Sequence, residues 1–232
     1  TAHRYRRPMR ERWLNERRQE HYYRLAKRTG FRSRASFKLM QIDERFDIFR
    51  EGDAVADLGA APGGWLQVAR ELVGEKGRVV GVDLRPIKRL DDVVTIMGDI
   101  TEDSTMLALV KELGGKADIV LSDMAPDISG NYSTDHARSV HLCKYALGVC
   151  DRVLKKNGKL VMKVFMGDMI PLLRDETERR FTEVKMHSPD ASRPTSSEMY
   201  MIATGFKAQT RVKMVERQEE KPKEFTIKGD LL

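Results

Sequence analysis

Cysteine is scarce in this 232-residue chain, which carries only Cys143 and Cys150. They are seven apart in a stretch that reads as one helix, hence on one face and about 10 Å apart at 1.5 Å per residue. A disulfide needs Cα atoms within about 7 Å, and two cysteines alone make no metal site, so both read as helix-packing residues. Long apolar runs are missing too: nothing approaches the roughly 18 residues that span a bilayer, and no secretory apolar segment stands near the start. The Arg-rich beginning imitates a transit peptide, but Glu11, Glu16 and Glu20 interrupt it, and such peptides are poor in acids. These absences lead us to expect an intracellular, cytoplasmic protein without a membrane role. The length suits one domain with short appendages and is ample for a sizeable core.

What is present is an uneven charge. Residues 1–50 hold fifteen Lys and Arg against six Asp and Glu, whereas the remainder holds 27 against 29. The formal net charge of +7 therefore originates in the N-terminal fifth. Tyr5, Trp13, Tyr22, Tyr23 and Phe31 are interleaved with its arginines. Arginine forks onto phosphates and stacks on bases, so residues 1–32 read as a basic RNA-binding arm. A solvated basic tail is the plainer alternative, and it has less use for the aromatics.

Ser33 is placed to cap a helix running to about Phe46, with Ala35, Leu39, Ile42 and Phe46 on one stripe and Lys38 at its edge. From residue 53 short β-like runs alternate with helical stretches, the pattern of βαβ units and a mostly parallel sheet. Strands are expected at Ala54–Leu58, Arg78–Leu84, Val93–Met97, Asp118–Ser122, Lys159–Phe165, 181–187 and Glu198–Thr204. Helices are expected at Gly64–Leu72, Met106–Leu113, 135–155 and 168–180, the third stopped by Asn157-Gly158. The fold class is thus α/β, a doubly wound Rossmann-like sheet of about seven strands. The domain occupies 33–206, and 207–232 reads as a charged tail or linker in which Phe225-Thr226-Ile227 hints at another element.

Asp57-Leu58-Gly59-Ala60-Ala61-Pro62-Gly63-Gly64-Trp65 follows a strand and opens a helix, where small residues let a ligand approach the backbone. The spacing is not G-x-G-x-x-G, and the Lys-Ser/Thr of a phosphate loop is missing. A nucleoside without a diphosphate, such as S-adenosylmethionine, fits better than a dinucleotide. Acids follow strands one to four, at the strand ends where open α/β sheets bind ligands. Asp83 comes twenty residues after Gly63, suited to ribose hydroxyls, and Asp99 is suited to an adenine amino group. Trp65 is either a helix-packing aromatic or a direct cofactor contact.

The loop DLGAAPGGW, the segment Leu121-Ser122-Asp123-Met124-Ala125-Pro126, Lys163 within Val161–Phe165, and Arg193-Pro194-Thr195-Ser196-Ser197-Glu198-Met199-Tyr200 resemble the FtsJ/RrmJ family of ribose 2′-O-methyltransferases. The likeness covers roughly residues 20–206. It implies S-adenosylmethionine as cofactor, bound by Gly59, Pro62, Gly63, Trp65, Asp83, Asp99 and Asp123. It also implies a catalytic tetrad of Lys38, Asp123, Lys163 and Glu198, no metal, and a sheet that ends with an antiparallel strand. The implied substrate is a uridine ribose in large-subunit ribosomal RNA, within an assembling particle, and a monomer is expected.

Methyl transfer from a sulfonium needs an oxygen nucleophile in line with the S–CH₃ bond, and positioning supplies much of the assistance. Two roles are open to Lys163: taking the 2′-hydroxyl proton, or remaining an ammonium that steers a lone pair. Burial and Lys38 favour the first, and Asp123 the second. Glu198 and Lys38 would pair and fix the ribose. Taken singly, Lys38 reads as a solvated helix lysine and Asp123 and Glu198 as turn and edge residues, whereas Lys163 interrupts an apolar strand where unpaired charge is costly. His136 and His141 show no ligand spacing and read as helix surface or packing. Asp127, Asn131, Tyr132 and Asp135 form either a substrate lid or a plain connection. The rivals are the same reaction on transfer RNA or a messenger cap, and a non-catalytic RNA-binding assembly factor; a dinucleotide oxidoreductase ranks last.

Overall fold

The computed structural model describes residues 30–192 and 197–208. Most of the basic arm, residues 193–196 and nearly all of the tail lie outside the described residues, as do the readings made on them. The elements run α1 (Ala35–Phe46), β1 (Ala54–Leu58), α2 (Gly64–Val73), β2 (Arg78–Asp83), β3 (Val94–Met97), α3 (Asp103–Leu113), β4 (Ala117–Ser122), α4 (Tyr132–Val153), β5 (Leu154–Phe165), α5 (Ile170–Arg180), β6 (Phe181–His187) and β7 (Glu198–Phe206). They build one sheet in the order β3-β2-β1-β4-β5-β7-β6. Pairing is parallel from β3 through β5, and β7 runs antiparallel to both β5 and β6. The expected doubly wound α/β sheet of seven strands is present, and its last strand is the antiparallel one.

Two apolar layers sandwich the sheet. Leu39 and Ile42 of α1 and Leu66, Val68, Ala69 and Val73 of α2 pack with Val55, Val79, Ile119, Val161, Tyr200 and Ile202. Helices α3, α4 and α5 cover the other face through Met106, Leu109, Val140, Cys143, Leu147, Cys150 and Leu173, against Ala56, Leu58, Val80, Val82, Val120, Leu160, Met162 and Val164. Both cysteines are free and buried in that layer, as expected of packing residues. Burial pushes the Cys143 thiol up to about 12.

The period-two alternation of strands then determines where every other residue points. Asp57, Asp83, Asp123 and Lys163 are each two residues beyond a member of the α1/α2 layer (Val55, Gly81 against Leu66, Leu121 and Val161). Glu198 is two residues before Tyr200. All five polar side chains therefore share one face.

Three local readings are corrected. Ser33 does not cap α1: Arg34 is the N-cap with no side-chain bond, and Ser33 contributes its carbonyl to Ser36 N–H instead. Its hydroxyl is turned toward Gly64 at the head of α2. Helix α4 starts three residues early because the Asn131 side chain accepts from Thr134 N–H at 3.0 Å. It also stops at Val153, and Asn157 takes a left-handed turn (φ 64°) within an irregular start of β5, not at a helix end. The reason is that Leu154 is fully buried and already pairs with Ala117 of β4.

Leu66 fills the space between α2 and the side-chain-free backbone of Gly81. Leu66→Ala is expected to destabilise the protein by about 2–5 kcal/mol, read as a lower urea midpoint with an unchanged m-value.

Candidate active site

The sheet order reverses between β1 and β4, and open α/β sheets leave their ligand crevice there, outside the carboxyl ends of the strands. The loop after β1 is tied down by Gly59 and Ala60 N–H, which both donate to Val82 O (2.9 and 3.1 Å). Gly59 has φ 71°, and a Cβ there would meet Met124 Cγ at 2.6 Å and its backbone at 3.1 Å. Gly63, at φ 105°, is the left-handed N-cap of α2. Both positions thus require glycine, one for close approach of two loops and one for a sharp helix start.

Lys38 and Glu198 form an ion pair at 2.5 Å with both side chains mostly buried. Lys163 Nζ donates to Asp123 O at 2.6 Å and to Asp123 Oδ1 at 2.9 Å. Tyr200 joins the pairs: its hydroxyl donates to Asp123 Oδ1 at 3.0 Å, and Lys38 Nζ stands 5.9 Å from its ring centre. Burial, together with Asp123 and Glu198, pushes the Tyr200 phenol well above its usual range, so it stays a donor. Burial works to raise Glu198, but Lys38, Lys163 and the Ser192 hydroxyl (3.1 Å) overcome it and hold the carboxyl below its ordinary value. The four residues expected as a tetrad are therefore brought together as two linked ion pairs.

The expected cofactor residues are placed less uniformly. Asp83 lies beside the loop and accepts from Ala61 N–H and Arg85 N–H, both at 2.8 Å. Asp99 follows β3, where the Thr101 N–H and hydroxyl (2.8 and 2.7 Å) draw its carboxyl below the usual range. Pro62 offers its carbonyl to the Arg32 guanidinium at 3.1 Å. Trp65 is taken up by packing: its indole N–H donates to Ala35 O at 2.8 Å, and its ring lies 5.7 Å from Tyr200. His136 is buried, with Nδ1 2.9 Å from Phe165 O and Nε2 accepting from Met169 N–H at 3.0 Å. Two of the loop residues are structural: Asp135 accepts from Ser129 and Gly130, and Asn131 caps α4, whereas Asp127 is exposed.

Three residues have a place at the site beyond their sequence reading, which gives Tyr200 no role, Arg32 to the basic arm and Asp57 to the acids at the strand ends. Tyr200 faces Lys163 directly across the β5–β7 ladder, a pairing that a strand alignment alone would have exposed. Arg32 clamps the cofactor loop by also donating to Lys88 O and Arg89 O (2.5 and 2.7 Å). Asp57 is fully buried, and neither carboxylate oxygen has a hydrogen-bond partner. Burial, with Asp123 and Asp83 nearby, pushes its carboxyl well above the usual range. An unpaired buried carboxylate at the head of a glycine loop fits a ligand that brings its own positive charge or donors.

Comparison with known proteins gives the family. The model of FtsJ-like methyltransferases matches residues 31–206. The chain belongs to that family. Among its relatives is a ribosomal RNA large subunit methyltransferase E of Natronomonas pharaonis, 54% identical over 81% of this chain and 74% of the relative. A protein of the same name from Methanocaldococcus jannaschii is 44% identical over 94% and 93%. A crystal structure of a Plasmodium falciparum protein described as a ribosomal RNA methyltransferase superposes with a TM-score of 0.71 and 26% identity, over 77% of this chain and all of that one. As an FtsJ-like methyltransferase the chain uses a methyl donor of the S-adenosylmethionine type, and the Asp57–Gly59–Gly63 cradle fits such a group. Among the described residues no helix is long and apolar enough to cross a membrane.

Asp57 provides a pH test. A raised carboxyl binds its proton more tightly folded than unfolded, so its ionisation costs stability progressively as pH rises above about 4. Asp57→Asn is expected to raise Tm of the ligand-free protein at pH 7, by roughly 2–4 °C per kcal/mol for a chain of this size. The gain vanishes near pH 3, and affinity for the methyl donor falls. A Tm gain that is constant from pH 3 to 8 is incompatible with this account.

Proposed function

We propose that this FtsJ-like methyltransferase transfers the methyl group of S-adenosylmethionine to a ribose 2′-hydroxyl, of a uridine, in large-subunit ribosomal RNA. The observation that carries the reading is the coupled pair Lys163–Asp123 and Lys38–Glu198, bridged by Tyr200 at the carboxyl ends of the central strands. The names of the relatives support the RNA class.

S-adenosylmethionine supplies, when bound, an electrophilic methyl on a sulfonium. Asp57, Asp83, Asp99, the loop Gly59–Gly63 and the Asp123 backbone would hold it, with Trp65 supporting the loop from beneath. Asp123 takes two of the three N–H bonds an ammonium offers. The third is assigned to the substrate 2′-oxygen, so that Lys163 would aim a lone pair in line with the methyl, and the 2′-hydroxyl proton would pass to solvent water as the O–C bond replaces the S–C bond. Lys38 and Glu198 form the wall against which the ribose is fixed, and Tyr200 keeps both carboxylates in register.

The same reading gives residues 1–32 to RNA phosphates, save Arg32, whose guanidinium is taken up by Pro62, Lys88 and Arg89 carbonyls, 33–206 to the methyltransferase domain and 207–232 to a tail, with a monomer acting on the large subunit or its precursor in the cytoplasm. Because the chemistry is on ribose, base choice comes from RNA shape and exposed bases.

The test is transfer of labelled methyl from S-adenosylmethionine to unmodified large subunits, naked ribosomal RNA and transfer RNA. Wild-type protein is expected to label large-subunit RNA in an alkali-resistant linkage, and Lys163→Ala to lower kcat by about 10²–10³-fold. Label confined to transfer RNA redirects the substrate, and cofactor binding without label on any RNA supports a binding factor instead.

A further inference from the structure

At the rim of the crevice three large apolar side chains stand in water: Ile128 (66% exposed), Tyr132 (58%) and Met166 (41%). Isolated exposed apolar residues are ordinary. Tyr132 differs because it is held at two points. Its hydroxyl donates to Met166 O at 2.6 Å, and its ring stacks on His136 with centres 6.4 Å apart and planes 16° apart. His136 is itself immobilised between Phe165 O and Met169 N–H. Gly167 lies so close to that imidazole that a Cβ would come within 2.4 Å of it. The result is a flat aromatic ring held at its hydroxyl and offset beside a buried imidazole, with more than half its area in solvent.

Its position matters as much as its rigidity. Met166 follows Phe165, which pairs with Glu198, and Met166 N–H donates to Ser197 O at 2.7 Å. Along β5 the step from Lys163 to Met166 is roughly 10 Å at about 3.3 Å per residue. The ring is therefore beside the reaction centre and not over it. Unpaired RNA bases are bound by stacking on such surfaces, with little dependence on base identity. A ring already fixed by neighbours loses little freedom when a base covers it.

We propose that the outward face of Tyr132, flanked by Met166, is a stacking site for an unpaired nucleobase next to the ribose that is methylated. The site rests on the RNA methyltransferase reading above.

The experiment uses the full chain, unmodified large ribosomal subunits and S-adenosylmethionine, and compares Tyr132→Ala, Tyr132→Phe and Tyr132→Trp. Tyr132→Ala is expected to raise KM for RNA by about 5- to 150-fold, the value of one stacked base, with affinity for S-adenosylmethionine unchanged. Tyr132→Phe and Tyr132→Trp retain wild-type KM within a few-fold, and the new tryptophan is quenched by RNA beyond the quenching of wild type. An unchanged KM in Tyr132→Ala overturns the proposal. So does a loss in Tyr132→Phe as large as in Tyr132→Ala, which makes the residue a tether for the Met166 loop, or a Tyr132→Trp fluorescence indifferent to RNA. A wild-type protein inactive on every RNA overturns the methyltransferase reading and this site with it, so the two failures are told apart.

Discussion

Charge at the carboxyl ends of the strands is the constraint around which this molecule is organised. Asp57, Asp83 and Asp123 stand at or beside the carboxyl ends of adjacent strands on one face of the sheet, close enough that Asp123 and Asp83 raise the cost of ionising Asp57. Carboxylates gathered in a partly buried crevice repel one another and lose hydration. Each is answered differently. Asp83 is satisfied by backbone N–H groups and Asp123 by Lys163 and Tyr200, while Asp57 has no hydrogen-bond partner. The unanswered one marks where a ligand has to contribute, and the answered ones mark what must already be in place when it arrives.

Strand parity converts this constraint into two linked ion pairs. Lys163 shares its face with Val161, and Glu198 with Tyr200 and Ile202, so the apolar layer beneath α1 and α2 also points the polar residues at Lys38. A register slip of one residue in β5 or β7 would send the lysine or the glutamate into the opposite apolar layer. The core residues of these strands thus serve positioning as directly as the hydrogen bonds do. Trp65 belongs to the same arrangement: by bonding Ala35 and packing on Tyr200, it fixes α1, and with it Lys38, against the cofactor loop.

Much of this was legible in the chain. The alternation of apolar runs placed β1 and β6 to the residue and the other strands within a few residues, save the start of β5, and the loop Asp57–Trp65 marked the ligand end. Lys38, Asp123, Lys163 and Glu198 were singled out together by a family resemblance whose motifs occur in one frame, and the structure brings them together as two ion pairs. What escaped depends on tertiary contacts. Periodicity says that Tyr200 is on a strand but not that Lys163 faces it. Ser33 reads as a cap in sequence, yet packing against Gly64 turns its hydroxyl away. The roles of His136 and Arg32 consist of bonds to backbone carbonyls and N–H groups 29 to 57 residues away, which carry no sequence signature.

The antiparallel course of β7 has a consequence for how the protein comes into being. A parallel last strand would deliver its far end to the crevice, whereas β7 delivers its first residue, Glu198, opposite Phe165. During synthesis β1 to β4 emerge while Glu198, 160 residues along the chain from its partner Lys38, is yet to be made. Closing that separation is among the slowest kinds of contact to form. A nascent chain of this kind has made β1 to β4 before it can pair Lys38 with Glu198, because that pairing waits for β7 to take its place between β5 and β6.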